Sequence, residues 1–415
     1  MLRQDFTSKS LLRVTTKNEI IKFELGRDKD EYKANLELCS IAINDPNFTL
    51  NNIHKKKINS KDVFHAGGAE EHYCIKKISV DMKRLYRIVT INRDDISEQV
   101  LRILETASSY GVIKADVKSF YERISYEKVL DKIKSDRLLS SKSINFLKQL
   151  STLNNDGLPR GLAVSPVMSE IYMRKVDSKI REISGVYYYV RYVDDIFIFT
   201  TVDCENVFNE LSSILQSFDL TLNNKTIKFN VPEISKLNSF SRSFDYLGYK
   251  YQISARSYEK KRSISVSLSD DKIRKIKTRI IHSLLERGKY TDKVLAQHHR
   301  KLLYNRIDVL SGNYPISGSK NRSGVLKGGV YYSNRLVNKV GVFEEFNEFL
   351  RKSLFTKSRN FFGRRIANIP LDEKKALLNL CFKKGFTERK FLKLTNTEMV
   401  AVKHCWKHQN HKKKK

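Results

Sequence analysis

The feature that most constrains this chain is a pair of adjacent aspartates inside an apolar and aromatic run. Val190 to Phe199 has the sequence VRYVDDIFIF, and the residues flanking the pair are β-branched or aromatic, as strands prefer. Side chains alternate along a strand, so a strand running through the pair would bury a carboxylate at high cost. The run therefore predicts a hairpin with strands over 186–192 and 196–200 and with Asp194 and Asp195 at its tip.

A third aspartate ends another predicted strand. Val112 to Ala115 is short and apolar, and Asp116 follows it directly. Two neighbouring strands that each end in a carboxylate form an oxygen-ligand site for a hard divalent ion, and two such ions ~4 Å apart assist in-line phosphoryl displacement. The competing interpretation is structural, with Asp194 and Asp195 in an ordinary turn and Asp116 as a helix cap.

The charge of the chain indicates a polyanionic partner. Its 415 residues include 78 Lys and Arg against 46 Asp and Glu, a formal net charge of +32. Folding needs no such excess, so we expect nucleic acid first and an anionic membrane second. The 40% hydrophobic content excludes a wholly disordered basic tail protein. With no apolar run near ~18 residues, no secretory signal and five dispersed cysteines, the sequence predicts a reduced, cytoplasmic protein without a membrane partner.

Five short motifs together resemble the reverse transcriptases of prokaryotes, the superfamily of group II intron and retron enzymes. Residues 192–195 match the family's Y-x-D-D box, and 116–124 match its D-x-x-x-F-[FY]-x-x-I box. Between them, residues 157–166 resemble the G-L-P-x-G-x-x-x-S-P loop. Residues 222–226 (LNNKT) resemble the L-N-x-x-K-T box with one residue fewer, and 244–249 resemble the F-x-x-L-G-Y box of the primer grip. The motifs keep the family's order, which overturns the structural interpretation of the aspartates.

The resemblance implies a mixed α/β (α+β) fold, a right-hand polymerase. Its fingers and palm hold an antiparallel sheet packed on helices, and a mainly α-helical thumb follows. We therefore expect an N-terminal extension over 1–80, fingers and palm over 81–255, and a basic thumb and C-terminal region over 256–415. Within these, the residue pattern predicts loops over 51–62 and 311–329 and one strand over 244–251.

The same resemblance implies an enzyme, an RNA-directed DNA polymerase, with two Mg²⁺ ions as cofactors and Mn²⁺ as an alternative. The implied metal ligands are Asp116, Val117, Asp194 and Asp195. The three aspartates are the expected catalytic residues, together with Lys225 as the general acid for the leaving pyrophosphate.

Four further residues are expected to contact the incoming nucleotide. Arg87 resembles the fingers arginine that grips the triphosphate, and Arg160 stands where many relatives carry glutamine, with a guanidinium suited to triphosphate or template backbone. Tyr121 stands where the family keeps an aromatic gate against the ribose 2′-OH. Gly161 permits close approach of the backbone to a base pair.

The C-terminal region predicts a nucleic-acid surface. Asp270 to Arg287 has the pattern of an amphipathic helix with an apolar stripe. We expect Lys272, Lys275 and Arg279 to face outward and to contact sugar-phosphate backbone. The run Lys412 to Lys415 is interpreted as a flexible anion-binding tail.

The absence of several sequence elements limits the subgroup of reverse transcriptases that the chain resembles. The C-terminal region shows no Cys/His nuclease constellation, no retron-type elements and no acidic set of an RNase H, so the chain most resembles the compact defence-associated and abortive-infection reverse transcriptases of bacteria. The resemblance implies copying of an associated noncoding RNA into DNA from deoxynucleoside triphosphates, in antiphage defence, with room for a homo-oligomer. Two alternatives stay open: template-independent or protein-primed DNA synthesis, and a non-catalytic RNA-binding scaffold, against which the intact aspartates argue.

Overall fold

The computed structural model describes residues 3–89, 91–154, 156–234, 240–258, 261–291, 293–321 and 324–406. The chain divides into two compact units, the first formed by Met1–Ile96 and Ser108–Lys236 and the second by Ser97–Ala107 and Leu237–Lys415. Each unit combines helices with antiparallel strands, so the expected mixed class is confirmed. In the part of the chain described here, no helix is both long and apolar enough to span a membrane. The predicted tail Lys412 to Lys415 lies outside the described residues.

The segments up to residue 236 form ten helices and six strands within the described residues. The helices are α1 (Ser8–Val14), α2 (Lys17–Lys22), α3 (Lys29–Asn44), α4 (Ala69–Leu85), α5 (Arg93–Leu104), α6 (Phe120–Arg123), α7 (Tyr126–Asp136), α8 (Ser141–Leu150), α9 (Val164–Arg181) and α10 (Cys204–Ser217). The strands are β1 (Ile53–Ile58), β2 (Lys61–Ala66), β3 (Tyr110–Asp116), β4 (Val186–Tyr192), β5 (Asp195–Thr200) and β6 (Ile227–Val231). A short 3₁₀ turn, Ser151–Leu153, extends α8.

A four-stranded antiparallel sheet in the order β4-β5-β3-β6 forms the centre of the first unit. The apolar run after Asp195 makes β5 almost fully buried. Ile196 and Ile198 pack into the main hydrophobic core with α9 and α10, while Phe199 meets the ring of Tyr110 at 5.5 Å. Burial on both faces explains why this strand is a continuous apolar run rather than an alternating one. The predicted hairpin and the predicted strand before Asp116 are confirmed.

The second unit holds the C-terminal elements. Its strands are β7 (Ser241–Tyr246), β8 (Tyr249–Tyr258), β9 (Lys261–Leu268), β10 (Asn313–Asn321) and β11 (Gly324–Gly329). Its helices are α11 (Asp270–Arg287), α12 (Lys293–Ser311), α13 (Gly341–Leu354), α14 (Phe361–Ala367), α15 (Leu371–Leu378), α16 (Phe382–Thr387) and α17 (Asn396–His404). Arg287 and Glu373, both buried, form an ion pair at 2.7 Å that joins α11 to α15.

Three local predictions were wrong. Residues 51–62 are largely strand, because β1 pairs with β2 and the Phe64 N–H donates to the Arg160 carbonyl at 2.7 Å, a tertiary contact that fixes the hairpin. Residues 244–251 hold a turn between β7 and β8, where Leu247 and Gly248 both have positive φ. Within 311–329, residues 313–321 and 324–329 are the paired strands β10 and β11, and Asn313, the first residue of β10, donates from its side chain to the Gly385 carbonyl at 3.0 Å.

A half-buried ion-pair cluster fastens α2 to α4. Glu19 of α2 accepts from Lys76 at 2.5 Å, from His72 at 2.8 Å and from the Thr16 N–H at 2.7 Å. Burial raises the pKa of Glu19, but the hydrogen bonds from Lys76, His72 and Thr16 outweigh it and hold the pKa at about 2. The ionised carboxylate therefore stabilises the fold at neutral pH, and this contribution is lost as the pH falls through the unfolded value of 4.5 toward 2.

We expect Glu19→Gln to lower the free energy of unfolding by about 3 kcal/mol at pH 7. The deficit relative to wild type should shrink as the pH falls below about 4.5, because the wild-type carboxylate then takes up a proton. Urea denaturation at several pH values measures both. Glu37→Gln, the same change at an exposed position of α3, is the matched control and should stay within about 0.5 kcal/mol of wild type. A pH-independent deficit at Glu19 would contradict the ionic explanation.

Candidate active site

The three predicted aspartates meet at one end of the four-stranded sheet. β3 and β5 are antiparallel neighbours whose register pairs Asp116 directly with Asp195. Directly opposed residues project to the same face with Cβ atoms about 5 Å apart. Asp194 precedes Asp195 in the β4–β5 turn, and its carbonyl accepts from the Val117 N–H at 3.0 Å. The pairing of these two strands therefore gathers the three carboxylates.

The turn that carries Asp194 has an unusual backbone conformation. Tyr192 pairs with Asp195, which leaves Val193 and Asp194 as a two-residue loop. Val193 has φ +60°, in the left-handed region that β-branched residues rarely adopt. Glycine is the usual residue where a hairpin turn needs positive φ. This backbone conformation costs of order 1–3 kcal/mol, and contacts around the turn must offset that strain.

Arg191 is the group that holds the turn. Its side chain is only 5% exposed and contacts two carboxylates of α9. Nε and Nη2 donate to Asp177 at 2.9 Å each, and Nη1 and Nη2 donate to Glu170 at 3.1 and 2.8 Å. Nη1 also donates to the Val193 carbonyl at 2.9 Å. All five N–H groups of the guanidinium are therefore used, which no lysine could reproduce.

Burial and mutual repulsion raise the pKa values of the two turn aspartates. Burial is the main cause for Asp195, whose pKa rises to about 6, and the charge of Asp194 adds to it. Burial also raises the pKa of Asp194, with a further increase from Asp116. Two cations oppose this increase at Asp194, namely Arg160 and Lys61. The site therefore holds carboxylates whose ionised forms would be stabilised by a nearby cation.

Asn223 fixes the carboxylate of Asp116. Its side-chain N–H donates to Asp116 Oδ2 at 3.0 Å, and its backbone N–H donates to the Asp116 carbonyl at 2.7 Å. Lys225 lies two residues further along in the same turn and is exposed. The structure thus brings Lys225 to the segment that touches Asp116. Asn223 was not among the predicted site residues, although it is the asparagine of the L-N-x-x-K-T motif.

The predicted nucleotide residues Tyr121 and Arg160 lie together beside the aspartates. The Arg160 guanidinium lies 5.0 Å from the centre of the Tyr121 ring and forms an ion pair with Glu122 at 3.1 Å. Burial raises the pKa of Tyr121, with Arg160 opposing and Asp194 adding to the increase, so these three groups share one environment. Arg160 is half-buried and its only ion pair among the described residues is with Glu122, which leaves part of the guanidinium for a further anion.

Gly161 is required by the fold. Its φ is +101°, and a Cβ atom there would collide with the Phe64 carbonyl and the Val63 side chain. The close approach at this position is therefore to the backbone of β2. It places the β1–β2 hairpin, and with it Lys61 at the hairpin turn, close to Asp194. Lys61 is a functional candidate that sequence reasoning missed, because residues 51–62 were expected to be a loop.

Arg87 does not lie with the residues around the aspartates. It is exposed, follows the end of α4 with φ +49°, and lines a separate cavity whose lining includes none of the three aspartates.

The predicted basic face of α11 is only partly outward. Lys275 is exposed. Lys272 donates to the Ser333 carbonyl at 2.8 Å and lies over the ring of Tyr249, and Arg279 lies 5.4 Å from the Trp406 ring. Lys272 and Arg279 are therefore half-buried beside aromatic rings rather than fully exposed, and their contact with sugar-phosphate backbone stays a prediction.

The side chains at this end of the sheet are of the type that binds a magnesium ion. No group of three or more acidic, His or Cys side chains in the described part of the chain is already arranged to hold a metal. Mg²⁺, however, is usually bound by one or two carboxylates together with substrate phosphates and water. The donors here are all carboxylate oxygens, and burial and mutual repulsion raise the pKa of two of them. Asp116, Asp194 and Asp195 are therefore the residues that would hold it.

A comparison with protein-family models agrees with this chemistry. Residues 72–251 match the family model described as reverse transcriptase (RNA-dependent DNA polymerase). No curated protein matches the chain. Similar solved structures include telomerase from Candida tropicalis without ligand (13% identity, TM-score 0.36) and with the TWJ fragment of telomeric RNA (12%, 0.37). Another is telomerase from Candida albicans with that RNA fragment (13%, 0.33).

Each of these alignments covers 80% of this chain and 56% of the telomerase chain, so the protein spans little more than half of their length. At these scores the telomerase structures indicate nothing about activity. The family match lies over the segment that carries the three aspartates, Tyr121 and Arg160. It shows that residues 72–251 are similar to the reverse transcriptase (RNA-dependent DNA polymerase) domain.

Proposed function

We propose that this protein copies a bound noncoding RNA into DNA by a two-metal mechanism with Mg²⁺, in the cytoplasm of a bacterium and in antiphage defence. The observation that carries the catalytic part is the register that pairs Asp116 with Asp195 and sets Asp194 beside them. The defence setting follows from the sequence resemblance to compact bacterial enzymes. The net charge of +32 supports RNA as the partner.

In the proposed reaction, the chain's own residues bind and orient the substrates. The three aspartates hold the metal ions, which when bound stabilise charge on the attacking and leaving oxygens. Arg160 and Lys61, the two cations that act on Asp194, bind the triphosphate of the incoming deoxynucleotide. Lys225 gives a proton to the leaving pyrophosphate.

Primer extension tests the proposal. The purified protein should incorporate deoxynucleotides on an RNA template only when Mg²⁺ or Mn²⁺ is present. Sequencing of the nucleic acid that copurifies with it should identify one bacterial noncoding RNA and its DNA copy. Incorporation without any template would favour template-independent or protein-primed synthesis. Absence of incorporation with every template and metal would favour the RNA-binding scaffold.

We expect Tyr121→Val to raise ribonucleotide incorporation relative to deoxynucleotide incorporation. The ring contacts the Arg160 guanidinium and the Phe120 ring beside the aspartates, and removing it opens space there that a ribose 2′-OH could occupy. The ratio of kcat/KM for the two substrates measures the effect. Tyr32→Val, at a half-buried tyrosine of α3, is the matched control.

Truncating the Tyr121 ring is expected to cost up to about 3 kcal/mol of stability, so thermal denaturation should accompany the kinetics. A lower stability with an unchanged substrate ratio would show that Tyr121 only packs.

A further inference from the structure

The first unit contains a second cavity, of about 710 Å³, that none of the roles above uses. It is lined by the C-terminal end of α4, by α7 and α9, and by the end of α10, and the three aspartates are absent from its lining. The volume lies in the range of about 300–1,000 Å³ that is usual for ligand sites. We refer to it as the α7–α9 cavity.

The walls of the α7–α9 cavity are apolar and aromatic. Val129 and Ile171 are buried there, and Tyr172 and Phe218 contribute rings that meet edge to face, 6.2 Å apart. The Tyr172 hydroxyl donates to the Phe218 carbonyl at 2.7 Å, which fixes the orientation of its ring. Leu138, also in the lining, is 41% exposed. Such a surface suits a flat apolar group.

Cations surround these walls. The lining includes five of them and one carboxylate, Asp136; the cations are Arg87, Lys128, Lys132, Arg174 and Lys175. Lys128 pairs with Asp219 at 2.6 Å, and Lys132 pairs with Asp136. Arg87 and Lys175 are exposed and have no ion pair among the residues that the structure describes. The cavity therefore has an excess of positive charge, part of which is unpaired.

The cations stand on three different elements. Arg87 follows α4, Lys128 and Lys132 lie one turn apart on α7, and Arg174 and Lys175 lie on α9. Aromatic surfaces flanked by spread cations are the arrangement by which proteins bind single-stranded nucleic acid, because bases stack on rings while phosphates pair with cations. A duplex keeps its bases stacked inside and cannot use the rings.

We propose that the α7–α9 cavity binds one or two nucleotides of single-stranded RNA, with a base against Tyr172 and Phe218 and phosphates at Arg87, Arg174 and Lys175. The inference rests on the proposed function, since RNA is the partner proposed there, and it adds a contact for that RNA outside the aspartate site. In this proposal Arg87 binds a backbone phosphate of the RNA strand, whereas its sequence context predicts that it binds the triphosphate of the incoming nucleotide.

Salt-dependent binding tests the cavity. Fluorescence anisotropy of a labelled eight-nucleotide RNA would be measured with the full chain, without divalent metal or nucleotide, across a salt series. We expect Lys175→Ala to weaken binding about three- to tenfold and to reduce the log–log salt slope by about 0.7, the single-strand value for one phosphate. Arg87→Ala with Lys175→Ala should reduce it by about 1.4. Lys148→Ala, at an exposed lysine of α8, is the matched control. Its effects on RNA affinity and on the salt slope should be a small fraction of those of Lys175→Ala.

Photo-crosslinking gives a second, independent measurement. An eight-nucleotide RNA that carries 4-thiouridine should crosslink to the peptides containing Tyr172 or Phe218, and a duplex of the same sequence should not. Equal salt slopes for Lys175→Ala and Lys148→Ala, or crosslinks only elsewhere, would overturn the proposal. Equal affinity for AMP and for the octamer, both dependent on Lys175, would also overturn it in favour of a free nucleotide. Loss of polymerase activity on every template with Lys175-dependent binding intact would instead refute the proposed function alone.

Discussion

Replacing Asp194 and Asp195 together by asparagine is expected to abolish nucleotide incorporation while RNA binding persists. The two carboxylates face Asp116 across the β3–β5 pair, and asparagine keeps their size but removes the charge that a divalent ion requires. The lysines and arginines proposed to bind RNA are unchanged. Primer extension and anisotropy on the same preparation measure the two activities separately.

The same variant should be at least as stable as wild type. Burial and mutual repulsion raise the pKa values of both turn aspartates, so the ionised pair destabilises the fold without its metal ions. Asp131→Asn, at an exposed aspartate of α7 outside the site, is the control and should retain full incorporation. Wild-type incorporation by the double variant would refute the catalytic assignment, and a large loss of melting temperature would show that the carboxylates are structural.

Replacing Arg191 should produce the second large effect, through the position of the turn that carries Asp194. Arg191→Met leaves Glu170 and Asp177 without their shared partner and leaves the Val193 carbonyl without a donor. Removing one partner of a buried ion pair costs about 3–5 kcal/mol. Incorporation should also fall at least about tenfold, because Val193 is held at positive φ and a relaxed turn misplaces Asp194.

A compensated variant separates positioning from folding. Arg191→Met combined with Glu170→Gln and Asp177→Asn removes the buried charges together, so most of the lost stability should return. The Val193 carbonyl still lacks its donor, so kcat should stay low while KM for the deoxynucleotide changes little. Recovery of kcat together with stability would contradict a positioning role. Arg191→Lys keeps the charge but has three donors instead of five. Compared with Arg191→Met, it should restore only part of the stability and only part of kcat.

Much of the site followed from local patterns. The run around Asp194 and Asp195 gave the hairpin because β-branched and aromatic residues on each side favour strands and two adjacent carboxylates favour a turn. The apolar strand before Asp116 was equally clear. Each of these features depends on a few consecutive residues, so local sequence preferences were enough to predict it.

Other parts of the site depend on contacts between distant residues. Lys61 stands near Asp194 because the Phe64 N–H donates to the Arg160 carbonyl, almost a hundred residues away in the sequence. The lysine-rich sequence around Lys61 contains no pattern that predicts this hydrogen bond. The Leu247–Gly248 turn has positive φ at a leucine, which no turn preference predicts. Lys272 and Arg279 follow the pattern of a solvated face, yet each packs on an aromatic ring supplied by another element.

The sequence by itself determined the mixed fold class and the strands that end in Asp116 and flank Asp194, because strand preference is a property of short segments. Only the tertiary structure decided which groups surround those carboxylates: Asn223 on Asp116, Arg160 and Lys61 near Asp194, and Arg191 beneath the turn. The physical reason is that hydrogen bonds, burial and charge act over a few ångströms of space, and residues far apart in the chain reach that distance only after it has folded.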